Sequence, residues 1–240
     1  MLVSSSAIVL SKVRYQDNDL IIKCLTRDLG VVSYMVKNIS VSKKSKNKFA
    51  FFQLLNILDL ETNFNPNRSI QYIKDLKIKY SFKSLHTNIY KSSVVMFLSE
   101  ILSTIIHNEI EDVELFDFIE NSLIWYDQSE DSSTFYLIFL MKITNYLGFY
   151  PDCTNMHYGY FNLEEGLFEN SKNSKYVIYG DSLVLFKTIL GIKFDSNKLP
   201  FIDKIKKKDI LKNILIYYKL HVDGFKDPKS LKVLNQIFAD

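Results

Sequence analysis

The period of hydrophobic residues changes once along this chain, and that change restricts the folds open to it. Through the first eighty residues, apolar and polar side chains alternate in SAIVLSKVRY, DLIIKCLTR, VVSYMVKNI, FQLLNILDLE and SIQYIKDLKIKY. A period of two sends successive side chains to opposite faces, so each run predicts a β-strand. From Ser84 the spacing becomes helical: Leu85, Ile89, Val94, Leu98, Ile101, Leu102 and Ile105 form one apolar stripe. Five strands followed by helices make an α+β protein, with a barrel at 1–80 and a mainly α-helical domain at 81–240.

Polar connections at 16–18 and 28–30 and one long loop at 37–48 suit a small closed five-stranded barrel. In the helical part, Asp112 is placed to cap a second helix running to about Tyr126, and Ser132 or Ser133 to start a third through Tyr146. The acids Glu109, Glu111, Asp112 and Glu114 surround that helix start, where the helix dipole favours negative charge. Beyond Gly148 the sequence GFYPDCTNMHYGYFNLEEGLF predicts a turn-rich insert with short strands at about 149–180. Further helices are expected near 181–190, 208–221 and 228–238, the last with Pro228 at its start.

Charge is segregated along the chain. Residues 1–80 hold 13 Lys/Arg against 6 Asp/Glu (+7), 81–170 hold 3 against 14 (−11), and 171–240 hold 14 against 7 (+7), which sums to +3. Such a distribution speaks of partners rather than of fold. The loop KNISVSKKSKNK carries Lys37, Lys43, Lys44, Lys46 and Lys48 without an acid, a candidate contact for a polyanion; the same composition also keeps a loop soluble and mobile. On the first strand Ile8, Leu10, Lys12 and Arg14 are expected on one face, and on the second Ile21, Lys23, Leu25 and Arg27. A barrel with a basic outer face is the sequence picture of an OB-fold, with Arg14, Lys23 and Arg27 as candidate phosphate contacts or ordinary solvated residues. Tyr34 is either a base-stacking ring or barrel core.

Several classes are disfavoured. At 240 residues and 47% hydrophobic, the chain is globular rather than a disordered tail. MLVSSSAIVL lacks the features of a secretory signal, and the longest apolar run, FYLIFLM, is far short of the roughly 20 residues that span a bilayer. A cytoplasmic protein without membrane contact is expected, with Cys24 and Cys153 reduced. No G-x-G-x-x-G, Walker-type loop, H-E-x-x-H or G-x-S-x-G is present, so no catalytic residues, enzymatic activity or cofactor are expected.

Three stretches carry a family resemblance. YKLHVDGFKDPKSLKVL has Lys226, Lys229, Ser230, Leu231 and Leu234 in an h-x-x-x-x-K-x-x-K-S-L-x-x-L pattern. AIVLSKVRYQDNDLIIKCLTRDLG has Val9, Leu10, Tyr15, Asp19, Thr26 and Gly30 at matching positions of a first hairpin, and LGFYPD is followed by F-x-x-x-E-G-x-F. Together, in this order, they resemble the bacterial recombination mediator family RecO.

That resemblance implies an N-terminal OB-fold, a helical domain and a nucleoid-associated DNA repair role. It implies binding and annealing of single- and double-stranded DNA, engagement of the C-terminal tail of the single-stranded DNA-binding protein SSB, and action with RecR to load RecA. Many sequences of the family carry a four-cysteine zinc site; here Cys153-Thr-Asn-Met156 stands where the first C-x-x-C would be, and ENSKNSKYV replaces the second. Cys153 and His157 offer two ligands at most, so no metal is expected. An acidic tail ending in a hydrophobic residue needs an apolar contact beside cations. Ile205, Ile210, Leu211, Ile214 and Leu215 with Lys204, Lys206, Lys207, Lys208 and Lys212 are the candidates, or else the apolar set is core and the lysines a solvated face. An alternative function is a scaffold whose main task is docking that tail, with DNA binding secondary.

Overall fold

The computed structural model describes residues 1–16, 18–37, 39, 49–107, 111–130, 133–192 and 202–238. They form two compact units, Met1–Gln128 and Ser129–Asp240. The last barrel strand ends at Ile78, and the first compact unit continues through two helices.

Five strands, β1 (Leu2–Tyr15), β2 (Asp19–Thr26), β3 (Gly30–Val36), β4 (Ile57–Asn63) and β5 (Ile70–Ile78), close a barrel in the order β1-β2-β3-β5-β4. Neighbouring strands run antiparallel except β3 and β5, which are parallel through Ser33–Ile70, Tyr34–Gln71 and Met35–Tyr72. This is the Greek-key closure of an OB-fold. The β2–β3 turn is held by Thr26, whose Oγ1 donates to Gly30 O (2.7 Å) and accepts from Leu29 N (3.1 Å). Gly30 sits there at φ 65°, a left-handed conformation that glycine adopts without a Cβ penalty. Ala7, Val9, Leu20, Ile22, Cys24 and Tyr34 fill the interior, so Tyr34 is barrel core.

One expectation about β1 is corrected. Ile8 pairs with Leu25 and Val9 with Cys24, but Ser11, not Leu10, pairs with Lys23. The extra residue is a β-bulge, and after it every side chain changes face. Lys12 therefore stands opposite Ile22 and Arg14 opposite Leu20, on the interior side at the barrel's end, while Ile8 shares the outer side with Ser11 and Val13. The fourth run also differs: Ala50–Phe52 is a 3-10 turn, Leu55 takes φ 59°, and the strand starts only at Ile57. Both Phe52 and Leu55 are fully buried.

Helix α1 (Ile89–Ile105) packs across β1. Asn88 caps it by accepting from Tyr90 N and Lys91 N. Helix α2 (Val113–Gln128) begins where Asp112 Oδ1 accepts from Leu115 N (2.9 Å), as the sequence predicts. Near its end Asp127 is turned to the segment leading into α1, accepting from the backbone N–H of Lys83 (2.9 Å), Ser84 (2.8 Å) and Leu85 (2.8 Å). A carboxylate at a helix C-terminus is disfavoured by the dipole, and these three donors offset that cost.

In the second unit, α3 (Phe135–Tyr146) buries every residue from Phe135 to Met141, which makes FYLIFLM a core helix. Short strands β6 (Tyr160–Asn162), β7 (Leu167–Glu169) and β8 (Val177–Tyr179) form a sheet in the order β7-β6-β8. Then follow α4 (Gly180–Gly191), α5 (Lys204–His221) and α6 (Leu231–Ile237). Tyr217 Oη donates to Phe149 O and Tyr218 Oη to Leu140 O, both at 2.7 Å, fastening α5 to α3 and to the start of the insert. Among the described residues no helix is long and apolar enough to cross a membrane.

Candidate nucleic-acid interface

Cross-strand partners share a face, so the register identifies the barrel's outer surface residue by residue. Val13 lies opposite Ile21, Ile21 opposite Met35, and Met35 opposite Tyr72. This apolar row runs outward across four strands and ends at open side chains, Val13 being 63% and Tyr72 44% exposed. The Lys37 ammonium stands 5.3 Å from the Tyr72 ring centroid, a cation–π distance. Beside them a groove of about 370 Å³ is lined by Met35, Lys37, Phe51, Tyr72 and Lys74. Lys74 is engaged by Glu61 at 2.6 Å.

The sequence-derived cations separate into distinct environments. Arg14 and Lys37 are exposed at the barrel's rim. Lys23 is not: its Nζ donates to Ser103 O (2.9 Å) and Ile106 O (3.5 Å), meeting carbonyls that the end of α1 leaves without helical partners. Burial pushes the Lys23 ammonium below its ordinary pKa. Arg27 Nε and Nη2 donate to the two carboxylate oxygens of Asp117 on α2. Two basic residues at the Thr26 end of the outer face of β2 are thus engaged by α1 and α2, while Ile21 at its other end belongs to the outward row. Lys12 stands 4.4 Å from the Phe49 ring centroid. Lys43, Lys44, Lys46 and Lys48 lie outside the described residues.

Arg68, which sequence reading passed over, is exposed in the β4–β5 loop. Buried Gln71 shapes that loop: its Nε2 donates to Asn65 O (2.8 Å) and Arg68 O (2.7 Å), and its Oε1 accepts from Asn65 N (3.0 Å). The turn signal FNPNRS, with one cation at its tip, was the available clue. In OB-folds this loop and the β1–β2 loop flank the oligonucleotide-binding face.

On α5, Lys207 is buried and its Nζ donates to Ser133 Oγ (2.7 Å), while Ile210, Leu211, Ile214 and Leu215 are core. Lys204, Lys206, Lys208, Lys212 and Ile205 remain on the surface, and Lys206 pairs with Asp203.

The residues of the insert do not fit zinc. Cys153 Sγ donates to Pro151 O (3.4 Å), burial raises its thiol pKa, and no group of three His, Cys, Asp or Glu side chains is clustered for a metal among the described residues. Phe161 packs against Phe168 (4.9 Å between centroids) and Phe186 (4.7 Å), an apolar closure of the small sheet onto α4.

The comparisons with known proteins agree with this architecture. The model described as Recombination protein O N terminal matches residues 1–82, and Recombination protein O C terminal matches residues 86–232. The chain belongs to the RecO family. Proteins named DNA repair protein RecO from Flavobacterium psychrophilum, Flavobacterium johnsoniae and Christiangramia forsetii are 38%, 39% and 37% identical to it, each alignment covering 100% of both chains. The two RecO matches meet where β5 ends and the segment leading into α1 begins.

Proposed function

We propose that this chain is a DNA-binding recombination mediator that holds single- and double-stranded DNA on its barrel and anneals complementary strands. In this reading it engages the SSB tail and works with RecR to load RecA at the nucleoid. The observation that carries the DNA-binding part is the outward row Val13–Ile21–Met35–Tyr72 on an OB barrel, with Lys37 at its end and Arg14 and Arg68 at the rim. Membership of the RecO family supports the protein partners.

The mechanism is binding rather than bond-making. Lys37, Arg14, Arg68 and the loop lysines Lys43, Lys44, Lys46 and Lys48 neutralise phosphates without reading sequence. The Tyr72 ring supplies a stacking surface that every base can use. Two strands brought to one set of lysines have their mutual repulsion screened, which favours annealing. Replacing Lys43, Lys44, Lys46 and Lys48 by Ala should weaken binding to all sequences and flatten log K against log salt by about three to four units. An unchanged slope moves the DNA off this loop.

A tail-docking role has its own support. Ile205 is 76% exposed at the start of α5, with Lys208 and Lys212 exposed on the same helix. An acidic peptide with a terminal hydrophobic residue would find both an apolar contact and cations there. Charge reversal at Lys208 and Lys212, sparing buried Lys207, should weaken tail-peptide binding in anisotropy titrations while naked-DNA binding stays at the parental level. Equal peptide affinity in the folded variant would place the receptor elsewhere.

A further inference from the structure

The sheet β7-β6-β8 has one closed face, and an opposite face where Asn162 of the middle strand is buried but whose β8 edge is exposed at Tyr179. Phe161 stands opposite Phe168 and Ile178, and all three are buried toward α4. Alternation then sends Tyr160 and its cross-strand partner Tyr179 to the other face, their ring centroids 6.2 Å apart. Tyr179 is 55% exposed although it closes a strand whose middle residue is core. Two lysines of the β7–β8 connection stand over aromatic rings at this edge: Lys172 Nζ is 5.1 Å from the Tyr179 centroid and Lys175 Nζ 4.8 Å from that of Tyr176. Neither lysine is in an ion pair among the described residues.

We propose that this aromatic and basic edge of the insert is a second contact for single-stranded nucleic acid, additional to the barrel. Flat rings that take any base, beside unpaired ammonium groups that meet phosphates, are the elements of a sequence-tolerant single-strand surface. The acids nearby define its limits. Glu169 flanks Tyr160 from the β7 side, where its Oε1 accepts from Asn162 Nδ2 (3.0 Å), Glu164 accepts from the Ser174 hydroxyl, and Asp181 opens α4. A polyanion is therefore directed along the β8 edge, past Lys172 and Lys175. A folded protein partner fits less well. Three strands of three residues make a face on the order of 10 Å on a side, far below the roughly 800 Å² per partner of a stable protein interface. A chain that holds one strand on its barrel and a second on its insert would present two strands at once, which annealing requires.

The test uses the full chain and oligothymidylate carrying 5-bromodeoxyuridine, photo-crosslinked and mapped by mass spectrometry. Crosslinks are expected at Tyr179 or Tyr176, besides those expected on the barrel at Tyr72. A variant with Lys172→Ala, Lys175→Ala and Tyr179→Ala should lose the insert crosslinks, keep those on the barrel, and anneal complementary strands about tenfold more slowly, in line with loss of one stacked base and two phosphate contacts. Tyr179→Phe should retain annealing, and the urea midpoints of both variants, altered only at the surface, should match the parent. Barrel crosslinks without insert crosslinks, or parental annealing by the triple variant, overturn the proposal while leaving the barrel reading intact. Insert crosslinks without barrel crosslinks would do the reverse. If the triple variant loses affinity for an acidic peptide but not for the oligonucleotide, the edge is a peptide site and the proposal falls.

Discussion

Arg27 and Asp117 meet fork to fork, Nε to Oδ1 at 2.9 Å and Nη2 to Oδ2 at 3.0 Å, and so join the end of β2 to α2. The geometry is bidentate, but the side chains are 39% and 41% exposed, and solvent screens much of the attraction. Arg27→Ala should lower the urea midpoint more at low than at high salt. It should leave the salt slope of DNA binding unchanged, because the guanidinium is committed to a carboxylate. A slope reduced by about one unit would instead put a phosphate at Arg27.

Arg68 is the opposite case. Held out on a loop shaped by Gln71, it is expected to contribute one phosphate contact, so Arg68→Ala should flatten the slope of log K against log salt by about one unit. Gln71→Ala should have a similar effect through the loosened loop while Arg68 itself is intact. Fluorescence titrations at four salt concentrations decide both.

Asp127 predicts a pH dependence. Burial pushes its carboxyl pKa up, but hydrogen bonds from the backbone of Lys83, Ser84 and Leu85 and from the Ser84 hydroxyl outweigh that and hold it below the usual carboxylate range. A group depressed in the folded state stabilises fully above its unfolded value of about 3.9 and loses that contribution as pH falls through the folded value. Asp127→Asn should therefore be less stable at pH 7, by about 1–3 kcal/mol for a charged acceptor lost from one buried and two part-buried donors. Urea melts of parent and variant should converge as pH falls below about 4.

The insert offers no zinc set, so chelator treatment should not shift the thermal midpoint, and elemental analysis of protein purified without chelator should find no stoichiometric zinc. Phe161→Ala, in contrast, should destabilise the second unit by about 3–5 kcal/mol, since it removes a fully buried ring from between Phe168 and Phe186. One zinc per chain would contradict the reading that the insert lacks a ligand set.

By itself, the sequence determined the order of elements. The change from period two to a helical period at Ser84 announced five strands and then helices, and Asp112 marked a helix start, because these are local consequences of backbone geometry. It also singled out Lys37 and Arg14, both exposed. Other features depended on tertiary contacts. Lys23 and Arg27 look like free cations on an alternating strand, yet α1 and α2 cover them, and alternation assigns a face without saying what lies against it. The unbroken apolar run Ala7–Ile8–Val9–Leu10 was the available sign that both faces of β1 are covered. The bulge at Leu10 adds one residue with no compositional signature, and it alone decides on which side Lys12 and Arg14 stand. Tyr34 on β3 and Tyr72 on β5, one core and the other open, stand on opposite faces of neighbouring strands. Register is set by pairing partners distant in the chain, so only the closed barrel could tell the two rings apart.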